Sequence, residues 1–300
     1  MLWKRIIDIA DSRWDYYYLK KQLSRIRKEY IRNIFVGSSY GSFGIEPKKE
    51  DLNLSLPSQD IYYAIKLATV AMHNKNIKNI YLCAGYYTLF CDLSKSNEYW
   101  RIDDVYKPLL KDIHNRSIIG DDDNNGSCRS RFNRIFKSLL KELINFILRV
   151  YFIFANSYFD KKVHTRERKK LTMWDDPSCK WKDLNDTERN KAAIRRVKMH
   201  EKQFRYRDSL SDNVIELKKF YANCKKRNII LHYLQFPFSN EYKQNMSEEY
   251  WKQKQNLENI IKDNCDEYID FNEICDFEID DFVDCDHLSD KGAKKLSKII

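Results

Sequence analysis

The chain has 300 residues, 43% of them apolar, and carries a net charge of +10. Such length and apolar content support a real core in one large domain or two small ones. The basic balance favours anionic partners, whether nucleic acid, an anionic membrane face or a charged glycan. Eight cysteines without a C-x-x-C pair, the nearest two being Cys83 and Cys91, argue against a zinc site and against a disulfide framework.

Residues 1–30 read as an amphipathic, aromatic and basic helical lead-in. The opening Met1-Leu2-Trp3-Lys4-Arg5 meets Asp8 and Asp11 too soon for an uncharged signal core, so a reduced, cytoplasmic protein is expected. Asn33 to Val36 reads as a short buried strand ended by Gly37, and Asn53-Leu54-Ser55-Leu56 as a second. Pro57-Ser58-Gln59-Asp60 then opens a helix with Ile61, Ala64, Ile65 and Ala68 on one face. A third strand, Ile80 to Ala84, closes at Gly85. Strand, strand, helix, strand is the cadence of a doubly wound α/β sheet.

Residues 95–210 break that rhythm and read as a largely helical insertion between a first α/β part, 1–94, and a second, 211–300. The insertion holds the acidic turn Asp121 to Gly126 and the apolar stretch Leu139 to Phe159. Lys141, Glu142 and Arg149 interrupt that stretch, which favours a packed helix over a membrane span. It also holds basic residues from Lys161 to Lys170 and from Arg195 to Arg207. Phe204 and Tyr206 among the latter invite a nucleic-acid reading, against which a solvated helix face is the commoner explanation. Beyond it, Val214, Leu217, Tyr221 and Cys224 mark a helix. Ile229 to Leu234 makes a strand, Glu248 to Lys262 a helix and Tyr268 to Phe271 a last strand. Ser289 or Asp290 caps a final helix.

Two stretches at strand ends carry the chemistry. Gly37-Ser38-Ser39-Tyr40 follows the first strand, where ligands of open α/β sheets gather. Asp284-Cys285-Asp286-His287 follows the last strand. One turn separates Asp284 from His287, so the carboxylate can orient the imidazole, and His287 can take the Ser39 proton. A plainer reading is that Asp284 or Asp286 caps the last helix and His287 lies at the surface. Flanking aspartates disfavour a reactive thiolate at Cys285. His232, on an apolar strand, reads as a packed core residue, and His73, His114, His164 and His200 have no partner spacing.

These two stretches resemble the first and last sequence blocks of the SGNH/GDSL hydrolases. Gly37-Ser38-Ser39-Tyr40 is similar to the Gly-Asp-Ser-Leu block, and Asp284 with His287 matches the Asp-x-x-His block. The resemblance implies a three-layer α/β/α, flavodoxin-like parallel sheet with Ser39, Asp284 and His287 as catalytic residues. It further implies oxyanion or substrate-binding groups at Ser58, standing where the family has glycine, and at Gly85 and Tyr86. The family's third-block asparagine has no counterpart in Ala84-Gly85-Tyr86-Tyr87, leaving Tyr86 to donate through its hydroxyl or the donor to be absent. The Gly-Ser-Ser and Tyr-Tyr pattern resembles a bacterial SGNH-like subgroup associated with surface-polysaccharide gene clusters.

The expected function is therefore serine-dependent ester hydrolysis, removing an O-acyl or O-acetyl group from a carbohydrate or small ester. Acyl transfer to a sugar hydroxyl and a non-catalytic glycan- or partner-binding module are the alternatives. No metal or organic cofactor is implied and nucleic acid is not the expected partner. The basic insertion leaves open a peripheral contact with an anionic membrane or with polysaccharide machinery.

Overall fold

The computed structural model describes residues 2–110, 143 and 181–300, with only the backbone for residues 2–14. The acidic turn, the basic run 161–170 and, Leu143 aside, the apolar stretch 139–159 lie outside the described residues. Five short runs form one sheet: β1 (Asn33–Gly37), β2 (Asp51–Asn53), β3 (Asn79–Ala84), β4 (Ile230–Gln235) and β5 (Glu267–Asp270). All neighbours pair in parallel, in the order β2-β1-β3-β4-β5. This is the flavodoxin-like order of the α/β class. Near-continuous apolar runs such as Ile34-Phe35-Val36 and Ile80-Tyr81-Leu82 are buried as a sheet covered on both faces requires.

One cross-strand row shows how register and chemistry agree. Phe35 lies beside Tyr81, Tyr81 beside His232, and His232 beside Glu267. The Phe35 and Tyr81 rings stack at 4.6 Å and those of Tyr81 and His232 at 4.3 Å. His232 is buried, with Nδ1 2.7 Å from Glu267 and Nε2 3.2 Å from Asn79. The second ladder sits at 51–53 rather than the 53–56 read from the apolar pattern. Residues 54–56 still run along β1, where Leu54 N–H donates to Phe35 and Leu56 N–H to Gly37.

The helices are α1 (Leu2–Lys28), α2 (Ser39–Gly44), α3 (Ile61–Ala71), α4 (Lys107–Leu110), α5 (Asp186–Glu201), α6 (Arg207–Lys226), α7 (Asn240–Gln244), α8 (Glu248–Lys262), α9 (Phe271–Ile274) and α10 (Asp290–Leu296). Side chains of Asp60, Asn185, Ser239, Ser247 and Ser289 cap their helices by accepting backbone N–H groups. Right-handed crossovers place α3, α6 and α8 on one face and α2 and α10 on the other. The packing of α3 on α6 and of α10 on α2 follows that division.

The chain divides into two compact units, residues 22–92 with 176–300 and residues 1–21 with 93–175. The first contains the whole sheet. Within the second, Arg101 is buried in ion pairs with Asp15 and Glu98. Residues 176–210, at the end of the expected insertion, belong to the sheet-bearing unit, and α5 packs on α7 there. Its buried stripe is Arg189, Ala193, Val197 and His200, and Arg189 pairs with Glu241 of α7 at 3.0 Å. Phe204, one of the two aromatics that invite a nucleic-acid reading, is a core residue between Phe90 and Tyr250. No described helix is long and apolar enough to cross a membrane.

Candidate active site

The position of Ser39 is set by a turn that requires glycine. Gly37 ends β1 with φ of +146°, and a Cβ there would stand 2.1 Å from the Cys83 carbonyl oxygen on β3. The chain therefore leaves the sheet abruptly, and Ser39 opens α2 at the carboxyl end of β1. Connections leave β1 and β3 towards opposite sides of the sheet here, the topological switch where α/β proteins bind ligands.

The last loop brings His287 to the same place. His287 Nε2 lies 2.8 Å from Ser39 Oγ, across 248 positions of sequence. Its Nδ1 is 2.9 and 3.0 Å from the two Asp284 oxygens. The Asp284 carboxylate is also fixed by the loop itself, accepting the backbone N–H of Asp286 and of His287. Asp284, His287 and Ser39 thus form an unbroken chain of hydrogen bonds, while the last helix is capped by Ser289 instead. His287 is 2% exposed.

Charge balance at His287 decides its proton affinity. Burial is the largest single influence and lowers it, but Asp284 and Asp286 together outweigh burial and Arg196, so its pKa is raised above the ordinary histidine value. Asp284 responds in the opposite sense. Burial raises its pKa, and the combined pull of His287, Arg196 and two backbone N–H groups holds it well below the usual carboxylate range.

Behind the triad lies a cluster not read from the sequence. Asp286 is fully buried and accepts from Tyr40 Oη at 2.9 Å and from Arg196 Nε at 2.9 and 3.1 Å. The Tyr40 ring stacks against His287 with centroids 5.4 Å apart. His200 Nδ1 is 2.6 Å from the Tyr242 hydroxyl, and its Nε2 has no hydrogen-bond partner, 3.8 Å from Asp286. Burial holds the His200 pKa well below its usual value, so the ring is neutral. Arg196 belongs to the basic run, and its identity as an inward-reaching cation was not separable there from its exposed neighbours Arg195 and Lys198.

The oxyanion candidates divide. Ser58 takes φ of +58° in the turn closed by Gln59 N–H to the Leu56 carbonyl, a left-handed position natural to glycine. It lies two residues beyond the Leu56–Gly37 hydrogen bond, and its N–H has no acceptor among the described residues. Tyr86 points elsewhere: its hydroxyl donates to Asp270 at 2.7 Å and accepts from Asn272. The Gly85 N–H is also engaged, by Thr88 Oγ1 at 2.8 Å. Tyr86 and Gly85 therefore do not offer the donors expected of them. Gly85 instead gives room, since a Cβ there would sit 2.6 Å from the Tyr40 ring.

Asp284, Cys285 and Asp286 bring ligand atoms within 4.8 Å of one another. Those of Asp284 and Asp286 are already engaged by His287, Arg196 and Tyr40, and Arg196 would oppose a cation there. The six described cysteines are free, and burial, followed by Asp286 and Asp284, pushes the Cys285 thiol pKa up. The fold and this cluster define a flavodoxin-like α/β domain with a Ser–His–Asp relay at its switch point.

No family model matches the chain, and no curated protein does. Among solved structures, one provisionally described as a platelet activating factor from Streptococcus pneumonia is similar at 9% identity, with a TM-score of 0.43. That likeness covers 94% of this chain and 88% of the other.

Proposed function

We propose that this protein is a serine-dependent acyl hydrolase of SGNH type that cleaves O-acyl esters, with an O-acylated carbohydrate as its substrate class. One observation carries the reading: the 2.8 Å approach of His287 Nε2 to Ser39 Oγ with Asp284 on the opposite ring nitrogen. With the His287 proton at Nδ1, facing Asp284, Nε2 accepts from Ser39. As Ser39 Oγ attacks the ester carbonyl, its proton passes to His287 Nε2, and the paired carboxylate stabilises the imidazolium. His287 then returns the proton to the departing alkoxide oxygen, leaving an acyl-serine. Water, deprotonated by the same nitrogen, releases the acid and restores the serine.

The negative charge on the tetrahedral oxygen needs donors already in place. The Ser39 N–H, in the first turn of α2, has no intrahelical acceptor. The Ser58 N–H at the neighbouring strand end is the second donor in this reading. Turnover of short-chain aryl esters by the parent and by Ser39→Ala tests it. Parent activity falling to background in the variant is expected; equal turnover by both proteins would refute the assignment.

A further inference from the structure

Asp286 has no part in the reaction as written, yet it is 1% exposed and sits against the reacting histidine. Its Oδ1 lies 3.5 Å from His287 Nδ1, the same nitrogen that Asp284 engages at 2.9 Å. Because Nε2 must accept from Ser39, the Nδ1 proton faces two carboxylates. They are not equivalent. Asp284 lies nearer and acts more strongly on His287, while the Asp286 side chain is wholly shielded from solvent. Tyr40 Oη, the Arg196 Nε–H shared between both oxygens and the Cys285 thiol all donate to the Asp286 carboxylate. Paired with Arg196 and held by Tyr40, this buried carboxylate is fixed against the imidazole beside it.

We propose that Asp286, held by Arg196 and Tyr40, is a second positioning carboxylate for His287. It shares with Asp284 the stabilisation of the imidazolium and accepts the Nδ1–H hydrogen bond when Asp284 is lost. Its effect on rate rests on the acyl-hydrolase reading; its effect on the imidazole does not. The groups facing His287 are Asp284 and Asp286 from its own loop, Ser39 and Tyr40 from α2, and Arg196 and His200 from α5. The two carboxylates raise its proton affinity and Arg196 lowers it.

The test is an NMR titration of the His287 imidazole in the full chain, together with the pH profile of kcat/KM on an aryl acetate. Asp286→Asn is expected to lower the His287 pKa and move the acid limb to lower pH. Arg196→Gln is expected to do the reverse, so either variant decides the sign if the other does not fold. Asp284→Asn should cost less than the roughly 10⁴-fold typical of a triad with one carboxylate. The double variant Asp284→Asn/Asp286→Asn should lose more than the product of the two single losses. An imidazole pKa unmoved by both Asp286→Asn and Arg196→Gln, or strictly multiplicative losses, would overturn the proposal. A parent that cleaves no ester while its titration shifts as predicted would sink the hydrolase reading and leave the carboxylate pairing standing.

Discussion

The pH behaviour of the site follows from His287. A neutral imidazole is needed to accept the Ser39 proton, and the flanking carboxylates keep the ring protonated to higher pH than an ordinary histidine. Activity should therefore fall as pH drops through a value above the usual histidine pKa, measured as the acid limb of kcat/KM; a limb below that value would contradict the assigned charge balance. Gly85 offers a second test at this scale. Gly85→Ala places a methyl 2.6 Å from the Tyr40 ring and displaces the hydroxyl from Asp286. About a 100-fold loss of kcat/KM with an unchanged circular dichroism spectrum is expected, since small misplacements at a reacting centre cost that much. Ser39, Asp284 and His287 were legible beforehand because each stands at a strand end in a recognisable spacing. The two alternatives left for Tyr86 could not be told apart in advance, because strand position does not fix where a side chain points two residues later. Asp286 and Arg196 were illegible because their ion pair spans 90 positions and one partner hides in a charge run.

Among the elements, α5 and the turn after it carry the main revision. A break in the strand–helix rhythm placed residues 186–210 within the insertion 95–210, yet the same segment presents Ala193, Val197, His200 and Phe204 inward. A helix face can be basic outside and apolar inside, and counting charges sees only the first. Phe204→Ala should cost about 3–5 kcal/mol of unfolding free energy, the usual range for deleting a buried phenylalanine. Arg195→Glu, on the exposed face, should stay within about 0.5 kcal/mol. Urea denaturation measures both, and a neutral Phe204→Ala would return that residue to the surface. The strands and α3, α6, α8 and α10 were legible because apolar periodicity and capping residues agree there, as at Asp60 and Ser289.

At the scale of the whole molecule, strand order is what joins two distant stretches of sequence at one point. The sheet brings the ends of β1 and β3 together, and the loop after β5 returns His287 to the β1 end. Alternating strands and helices indicated the fold class, whereas the division into units depends on which distant segments pack together, which no composition count contains. The site also contributes to pH-dependent stability. His287 has a raised pKa when folded, so its stabilising contribution is full below the unfolded value and is lost as pH rises through the folded one. The difference in unfolding free energy between the parent and His287→Gln should accordingly narrow with rising pH across that window. A difference that widens would reverse the sign of the interaction.

The most direct measurement is peptide mapping after reaction with a serine-reactive fluorophosphonate. A single adduct on the peptide containing Ser39, absent from Ser39→Ala and strongly slowed in His287→Ala, is the predicted result. An adduct on another residue, or one that forms equally fast without His287, would contradict the nucleophile and base assigned here.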